Sequence, residues 1–126
     1  MTNASLTGRA VVLIVEDEPI VRMMVIDLFE DEGFEVLEAS DADEALVIFG
    51  DRSDVGLLFT DVEMPGSING YGLARWAHVH RPTVKTVIVS GRAFPVAGDI
   101  PAGATFIGKP YDHGDVMRRV QTMMAS

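Results

Sequence analysis

Five polar residues in this 126-residue chain follow apolar runs of strand length: Glu16 and Asp17 after Val11 to Val15, Asp61 after Val55 to Thr60, Ser90 after Thr83 to Val89, and Lys109, beside Pro110, after Ala104 to Ile107. In a parallel α/β sheet, ligands bind outside the carboxyl ends of the strands, so these groups converge on one rim. Three carboxylates gathered within about 5 Å repel one another by about 3 kcal/mol per pair at an effective dielectric of about 20, so such a cluster wants a cation. Oxygen ligands, with no histidine or thiolate nearby in the sequence, suit magnesium better than zinc, because magnesium keeps several waters and accepts few carboxylates. Lys109 offers a fixed ammonium and Ser90 a hydroxyl donor, a pair suited to the three equatorial oxygens of a phosphoryl group. Asp61, between them, is placed as the nucleophile. A carboxylate that carries a phosphoryl group is a mixed anhydride, so the protein itself would be modified and no free substrate turned over.

The elements that must hold these residues follow from hydrophobic period. Runs of strand length alternate with longer stretches of helical period, in the order βαβαβαβαβ. The strands are expected at Val11 to Val15, Phe34 to Glu38, Val55 to Thr60, Thr83 to Val89 and Ala104 to Ile107. Most are near-continuous apolar runs, as in a parallel sheet covered by helices on both faces. Helices are expected at Pro19 to Glu32, Asp41 to Gly50, Tyr71 to Val79 and Asp112 to Met124, the first with Val21, Met24, Val25 and Leu28 on its core face. The fourth crossover, Gly91 to Gly103, carries Pro95, Gly98, Pro101 and Gly103, so a helix there should be short or absent. The fold expected is a three-layer, doubly wound α/β sandwich over residues 10–126, behind a polar tail over residues 1–9.

Composition narrows the function. Ten basic against nineteen acidic residues leave a net charge of -9, a field that repels nucleic-acid phosphates and anionic lipid. The absence of cysteine excludes disulfides, thiolate zinc sites and cysteine nucleophiles. The longest apolar run, Ala10 to Val15, is far short of the roughly 18 residues of a membrane span and ends on Glu16 without a cleavage site, so a cytoplasmic location is expected. Gly103 to Lys109 matches a phosphate-loop spacing, but Pro110 stands where the metal-holding Ser or Thr belongs and the intervening residues read as strand. His78 and His80, two apart on a helix, and His113 read as solvated side chains; Met117, Met123 and Met124 read as core edge and fraying terminus.

The motifs Val12-Leu13-Ile14-Val15-Glu16-Asp17-Glu18-Pro19, Thr60-Asp61-Val62-Glu63-Met64-Pro65-Gly66, Val87-Ile88-Val89-Ser90-Gly91 and Gly108-Lys109-Pro110-Tyr111, in this order, resemble the receiver domains of bacterial two-component response regulators. The likeness runs from Val11 to about Met124. It implies that Asp61 accepts a phosphoryl group from a histidine kinase, that Glu16, Asp17, Asp61 and the Glu63 carbonyl hold magnesium, and that Ser90 and Lys109 bind the phosphoryl oxygens. It also implies a strand order of 2-1-3-4-5, for which a receiver domain is a stock example of the doubly wound class. Ser90 and Phe106 take the family's switch positions. Lacking a phenolic oxygen, Phe106 would act sterically.

Contact with the partner is expected at Ile20, Met23, Pro110 and Tyr111; Ile20, Met23 and Ile26 form a second apolar row on the first helix. Glu63 and Arg92, two residues beyond Asp61 and Ser90, are expected to pair across the mouth of the site and slow loss of the phosphoryl group. The leading reading is a stand-alone phosphoacceptor that catalyses only its own phosphorylation and slow dephosphorylation, and that signals by protein contact or phosphorelay. The last helix is expected to end at the carboxyl terminus, with no residues left for an output domain. The alternatives are a phosphorylation-independent scaffold on the same fold, which has no need of Asp61, Lys109 and the acidic pair together, and an aspartyl phosphatase, which would want a second Asp where Glu63 stands.

Overall fold

The computed structural model describes residues 9–92, 95, 96 and 98–125. The expected polar tail, up to residue 8, lies outside the described residues. Five strands, β1 (Val11–Val15), β2 (Glu35–Ala39), β3 (Leu57–Asp61), β4 (Lys85–Ser90) and β5 (Thr105–Gly108), alternate with α1 (Pro19–Asp31), α2 (Ala42–Asp51), α3 (Gly70–His80) and, after β5, α4 (His113–Ala125). The strands form one parallel sheet in the order β2-β1-β3-β4-β5. This is the doubly wound order expected from the resemblance.

The alternation of side chains along each strand divides the core into two faces. Val12, Ile14, Leu57, Phe59, Val87, Val89 and Ile107 pack with Val25 and Phe29 of α1 and with Val116, Met117 and Val120 of α4. Val11, Leu13, Val15 and Leu58 pack on the opposite face with Ala42, Ala45 and Phe49 of α2 and Leu73 and Ala77 of α3. The strands are buried from both sides, which is why they read as unbroken apolar runs.

Local chemistry sets the helix ends. Pro19 occupies the first turn of α1, where an amide hydrogen would have no partner within the helix. The helix closes through Gly33, at φ 91°, with the Gly33 N–H on the Glu30 carbonyl (3.0 Å) and the Phe34 N–H on the Phe29 carbonyl (3.1 Å). That crossed pair of bonds needs a residue at ease in the left-handed region, which favours glycine. Asp41 caps α2 by accepting the Glu44 N–H at 2.9 Å, while the Glu44 carboxylate accepts the Ser40 N–H at 2.7 Å. Asn69 caps α3 by accepting the Gly72 N–H at 3.0 Å.

Between β4 and β5 the described residues carry turns and no helix, with Gly98 and Gly103 at φ 91° and 86°. Residues 93, 94 and 97 of this crossover lie outside the described residues. Strand ends moved by a residue or two: β2 runs one residue later than expected, and Asp61 is the last residue of β3 rather than the first beyond it. The core face of α1 also differs. Met24, expected in the core, is 53% exposed, while Phe29 is fully buried and meets Phe34 and Phe59 edge to face at 5.1 and 5.4 Å. Val21, Val25 and Phe29 recur every fourth residue and lie down the middle of the stripe; Met24, turned about 100° from Val25, falls at its margin. Burying the Phe29 ring stabilises the fold by about 1.5–3 kcal/mol.

Candidate functional site

The carboxyl end of β1 carries Glu16, whose backbone N–H still bonds across to the Ala39 carbonyl (3.1 Å) and whose carboxylate accepts the Glu18 N–H at 3.0 Å. The turn into α1 is therefore folded around a buried acid. Asp61, at the end of β3, accepts the Val62 N–H at 2.9 Å, and the same N–H reaches the Val89 carbonyl at 3.0 Å. Glu16 and Asp61 are only 4% and 5% exposed. Together with half-buried Asp17 they place one ligand oxygen each within 4.8 Å of one another.

Lys109 reaches over this cluster from the end of β5, its Nζ 3.4 Å from Asp61 Oδ2 and 3.8 Å from Glu16 Oε1. One ammonium faces three carboxylates, and the pKa shifts record the imbalance. Burial, with Asp61 alongside, pushes the Glu16 carboxyl up to about 7 against the Glu18 N–H and Lys109. Burial also raises Asp61, with Glu63 adding to the effect while Lys109 and the Val62 N–H oppose it. An all-oxygen set of crowded, poorly solvated carboxylates fits a hard divalent cation. The acidic cluster can hold a metal.

Ser90, at the end of β4, is 3% exposed. Its hydroxyl donates to Glu63 Oε2 at 2.6 Å and accepts the Arg92 N–H at 3.2 Å, while its carbonyl accepts the Lys109 N–H at 2.8 Å. This corrects the expected gate. The Glu63 carboxylate turns inward to Ser90 rather than out to the exposed Arg92 side chain, because a buried hydroxyl donor is a stronger claim on a carboxylate than a solvated cation. Among the described residues no ion pair of Arg92 is found.

The other expected positions separate into two places. Phe106 is partly buried in a small cluster with Val62, Ala74 and Ile88, against Tyr71, Ile100 and Ala104, at the β4–β5 side of α3. Ile20 and Met23 are 70% and 61% exposed on α1. Ile26, expected in their row, packs instead against the core. Pro110 and Tyr111, with Val21, Met24, Val25, Gly91, Lys109 and His113, line a groove of about 460 Å³ that runs from Lys109 along α1. His78, His80 and His113 are exposed, as expected, and the Gly103 to Lys109 segment is β5 rather than a phosphate loop.

Two further residues shape the site without having been singled out. Gly70 opens α3 so close to β3 that a Cβ there would collide with the Asp61 carbonyl. Arg22 donates from Nη1 to the Glu16 carbonyl at 2.8 Å and from Nε to Glu38 Oε1 at 2.9 Å. The sequence does hold one signal for Arg22: it is the lone charge between Pro19 and Ile26.

Known proteins resemble this chain in sequence and fold. Residues 12–121 match the model of the response regulator receiver domain. The chain is 35% identical over 123 residues to the sensor kinase CckA of Brucella abortus strain 2308, covering 94% of this chain and 13% of that protein. It is 32% identical over 117 residues to the aerobic respiration control protein ArcA of Escherichia coli strain K12, covering 90% of this chain and 48% of that one. The chain thus spans half or less of the length of these curated relatives. The crystal structure of a receiver domain from the hybrid histidine kinase CckA superposes with a TM-score of 0.77 at 36% identity, covering 90% of this chain and 98% of that one. None of the helices among the described residues is long and apolar enough to cross a membrane. On the matched length, the strand order and the acid cluster facing Lys109, this chain belongs to the response regulator receiver domain family of two-component signalling.

Proposed function

We propose that this chain is a phosphoacceptor: Asp61 takes a phosphoryl group from a histidine kinase or a phosphotransfer protein, and the modified surface signals by protein contact or phosphorelay. The observation that carries this reading is the placement of Asp61, a buried carboxylate held by one backbone N–H on Oδ1 and facing the Lys109 ammonium at 3.4 Å on Oδ2. A structural carboxylate would complete its hydrogen bonds; this one is left crowded by Glu16 and Asp17 at an open rim. In the transfer a carboxylate oxygen forms the P–O bond as the P–N bond of the donor phosphohistidine breaks. The electron pair stays on the imidazole nitrogen, which takes up a proton.

Glu16, Asp17, Asp61 and the Glu63 carbonyl are the residues that would hold Mg2+. A bound magnesium ion would supply positive charge against the carboxylates and the phosphoryl oxygens. Lys109 neutralises one further oxygen and orients the group, and Ser90 offers a hydroxyl once it leaves Glu63. Phe106, partly buried against Val62 and Ile88, would then rotate inward, a steric readout that needs no phenolic oxygen. The donor's helix would lie along the groove beside α1, where Ile20, Met23 and Met24 are exposed and Pro110 and Tyr111 form the far wall. The protein turns over no free substrate beyond forming and slowly losing its own aspartyl phosphate.

Acetyl phosphate and Mg2+ test the reading directly. The wild-type chain is expected to gain the mass of one phosphoryl group, and Asp61→Asn to gain none, because an amide is neither nucleophilic nor a good metal ligand. Equal labelling of the two would show that the phosphate sits elsewhere, and no labelling of the wild type would favour a phosphorylation-independent scaffold.

A further inference from the structure

We propose that Arg22 is a positioning residue for the metal ligands, clamping the turn that carries Glu16 and Asp17 so that magnesium binds more tightly than it would to a free acidic turn. The inference rests on the magnesium reading above. Its basis is the set of bonds that converge on Glu16. The Glu16 N–H is taken by the Ala39 carbonyl at 3.1 Å, Oε2 by the Glu18 N–H at 3.0 Å, and the carbonyl oxygen by Arg22 Nη1 at 2.8 Å. Only Oε1 remains for the cluster, facing Lys109 at 3.8 Å. Swinging Oε1 out of the cluster by side-chain rotation would break the Oε2 bond to Glu18, and carrying the whole residue away with its backbone would break the bonds to Ala39 and Arg22.

Arg22 is suited to this place for two reasons. The last aligned pair between β1 and β2 is Val15 with Ala39, so the Glu16 carbonyl lies just past the ladder and has to find its donor elsewhere. The planar guanidinium spans the gap, with Nη1 on that carbonyl and Nε on Glu38 at the end of β2, tying α1 to two strand ends at once. The second reason is charge. A lone guanidinium behind the ligands would repel the cation, but the Glu38 carboxylate at 2.9 Å offsets it, leaving the hydrogen bond with little net field. Glu38 is 57% exposed, so the ion pair itself adds little to stability.

Positioning and charge have opposite signs, which makes the test decisive. Loss of positioning weakens magnesium binding; loss of a nearby positive charge strengthens it. Groups that orient a metal ligand from behind typically change metal affinity by 10- to 100-fold when removed. Calorimetric titration of the unphosphorylated protein with Mg2+ alone should show a dissociation constant about tenfold weaker in Arg22→Met, with Arg22→Lys between that variant and wild type. The melting temperature in chelator should stay within about 4 °C of wild type, because a partly exposed ion pair adds little to the fold. Binding by Arg22→Met that equals or exceeds wild type would overturn the inference. So would Arg22→Lys binding as wild type does, which settles the question even where Arg22→Met does not fold. No binding heat from the wild type would overturn the magnesium reading and this inference with it, whereas wild-type binding with an unaffected Arg22→Met overturns the inference alone.

Discussion

Removing divalent cation and raising pH should destabilise this protein, and Glu16 should account for most of the effect. An unfolded glutamate ionises at about its ordinary 4.5, whereas burial and the Asp61 carboxylate hold the folded Glu16 carboxyl at about 7. Between those limits the native state binds more protons than the unfolded state, so stability falls as pH rises and levels off above pH 7. The shift from 4.5 to about 7, at about 1.4 kcal/mol per pH unit, corresponds to about 3 kcal/mol. For a domain of this size that is about 10 °C in melting temperature. Asp61 is shifted in the same direction and steepens the fall. Glu44 and Asp54, held low by their hydrogen bonds, act at lower pH, where protonation removes their contribution. Thermal melts in chelator from pH 5 to 8 should therefore slope downward, Glu16→Gln should flatten the slope, and saturating Mg2+ should restore about 3 kcal/mol at pH 8 when present at about 100 times its dissociation constant. A flat wild-type profile in chelator, or a slope undiminished in Glu16→Gln, would refute the account of a buried, repelled carboxylate.

Other outcomes bear on single contacts. Gly70→Ala would drive a Cβ into the Asp61 carbonyl, so it should destabilise the domain by about 1–3 kcal/mol and slow phosphorylation as well, read by urea melts and by labelling with acetyl phosphate. Glu63→Ala frees the Ser90 hydroxyl from a 2.6 Å bond to a carboxylate and should speed labelling by up to about tenfold, while Arg92→Ala, whose backbone N–H makes the contact, leaves the rate unchanged. Slower labelling in Glu63→Ala would mean that Ser90 is not restrained in this way. Met23→Glu, at a 61% exposed position beside the groove, should slow transfer from a cognate histidine kinase and leave acetyl phosphate labelling alone. Equal transfer from the kinase would remove α1 from the docking surface.

The acid cluster explains why a stable fold tolerates so much local cost. Three carboxylates share one rim because a parallel sheet brings every strand's carboxyl end to the same side, and the buried clusters on its two faces hold that sheet rigid. The strain is confined to the ends of β1 and β3, where it can be relieved by a cation or by protonation. The Lys109 N–H donates to the Ser90 carbonyl at 2.8 Å, so the strand ends that carry these two residues are tied together.

Much of the protein was legible from its residues in order. Apolar runs of strand length, Pro19 at a helix start and Gly33 at its close are local signals, and local signals determine which residues become β1, α1 and their neighbours. Glu16, Asp17, Asp61, Ser90 and Lys109 stood out because each follows such a run, and a parallel sheet leaves such positions a single rim to share. The strand order, by contrast, came from the resemblance to receiver domains, since period alone does not say which strand lies beside which. What only the tertiary structure decided is who touches whom. Glu63 and Ser90 are 27 residues apart, and Arg22 and Glu38 are 16 apart. Spacing of that length carries no geometry until the sheet is assembled. The exchange of Arg92 for Ser90 as the partner of Glu63, the exposure of Met24 and the closeness of Gly70 to Asp61 all depend on how α1 and α3 seat against the strands, a matter of packing between segments rather than of preference within one.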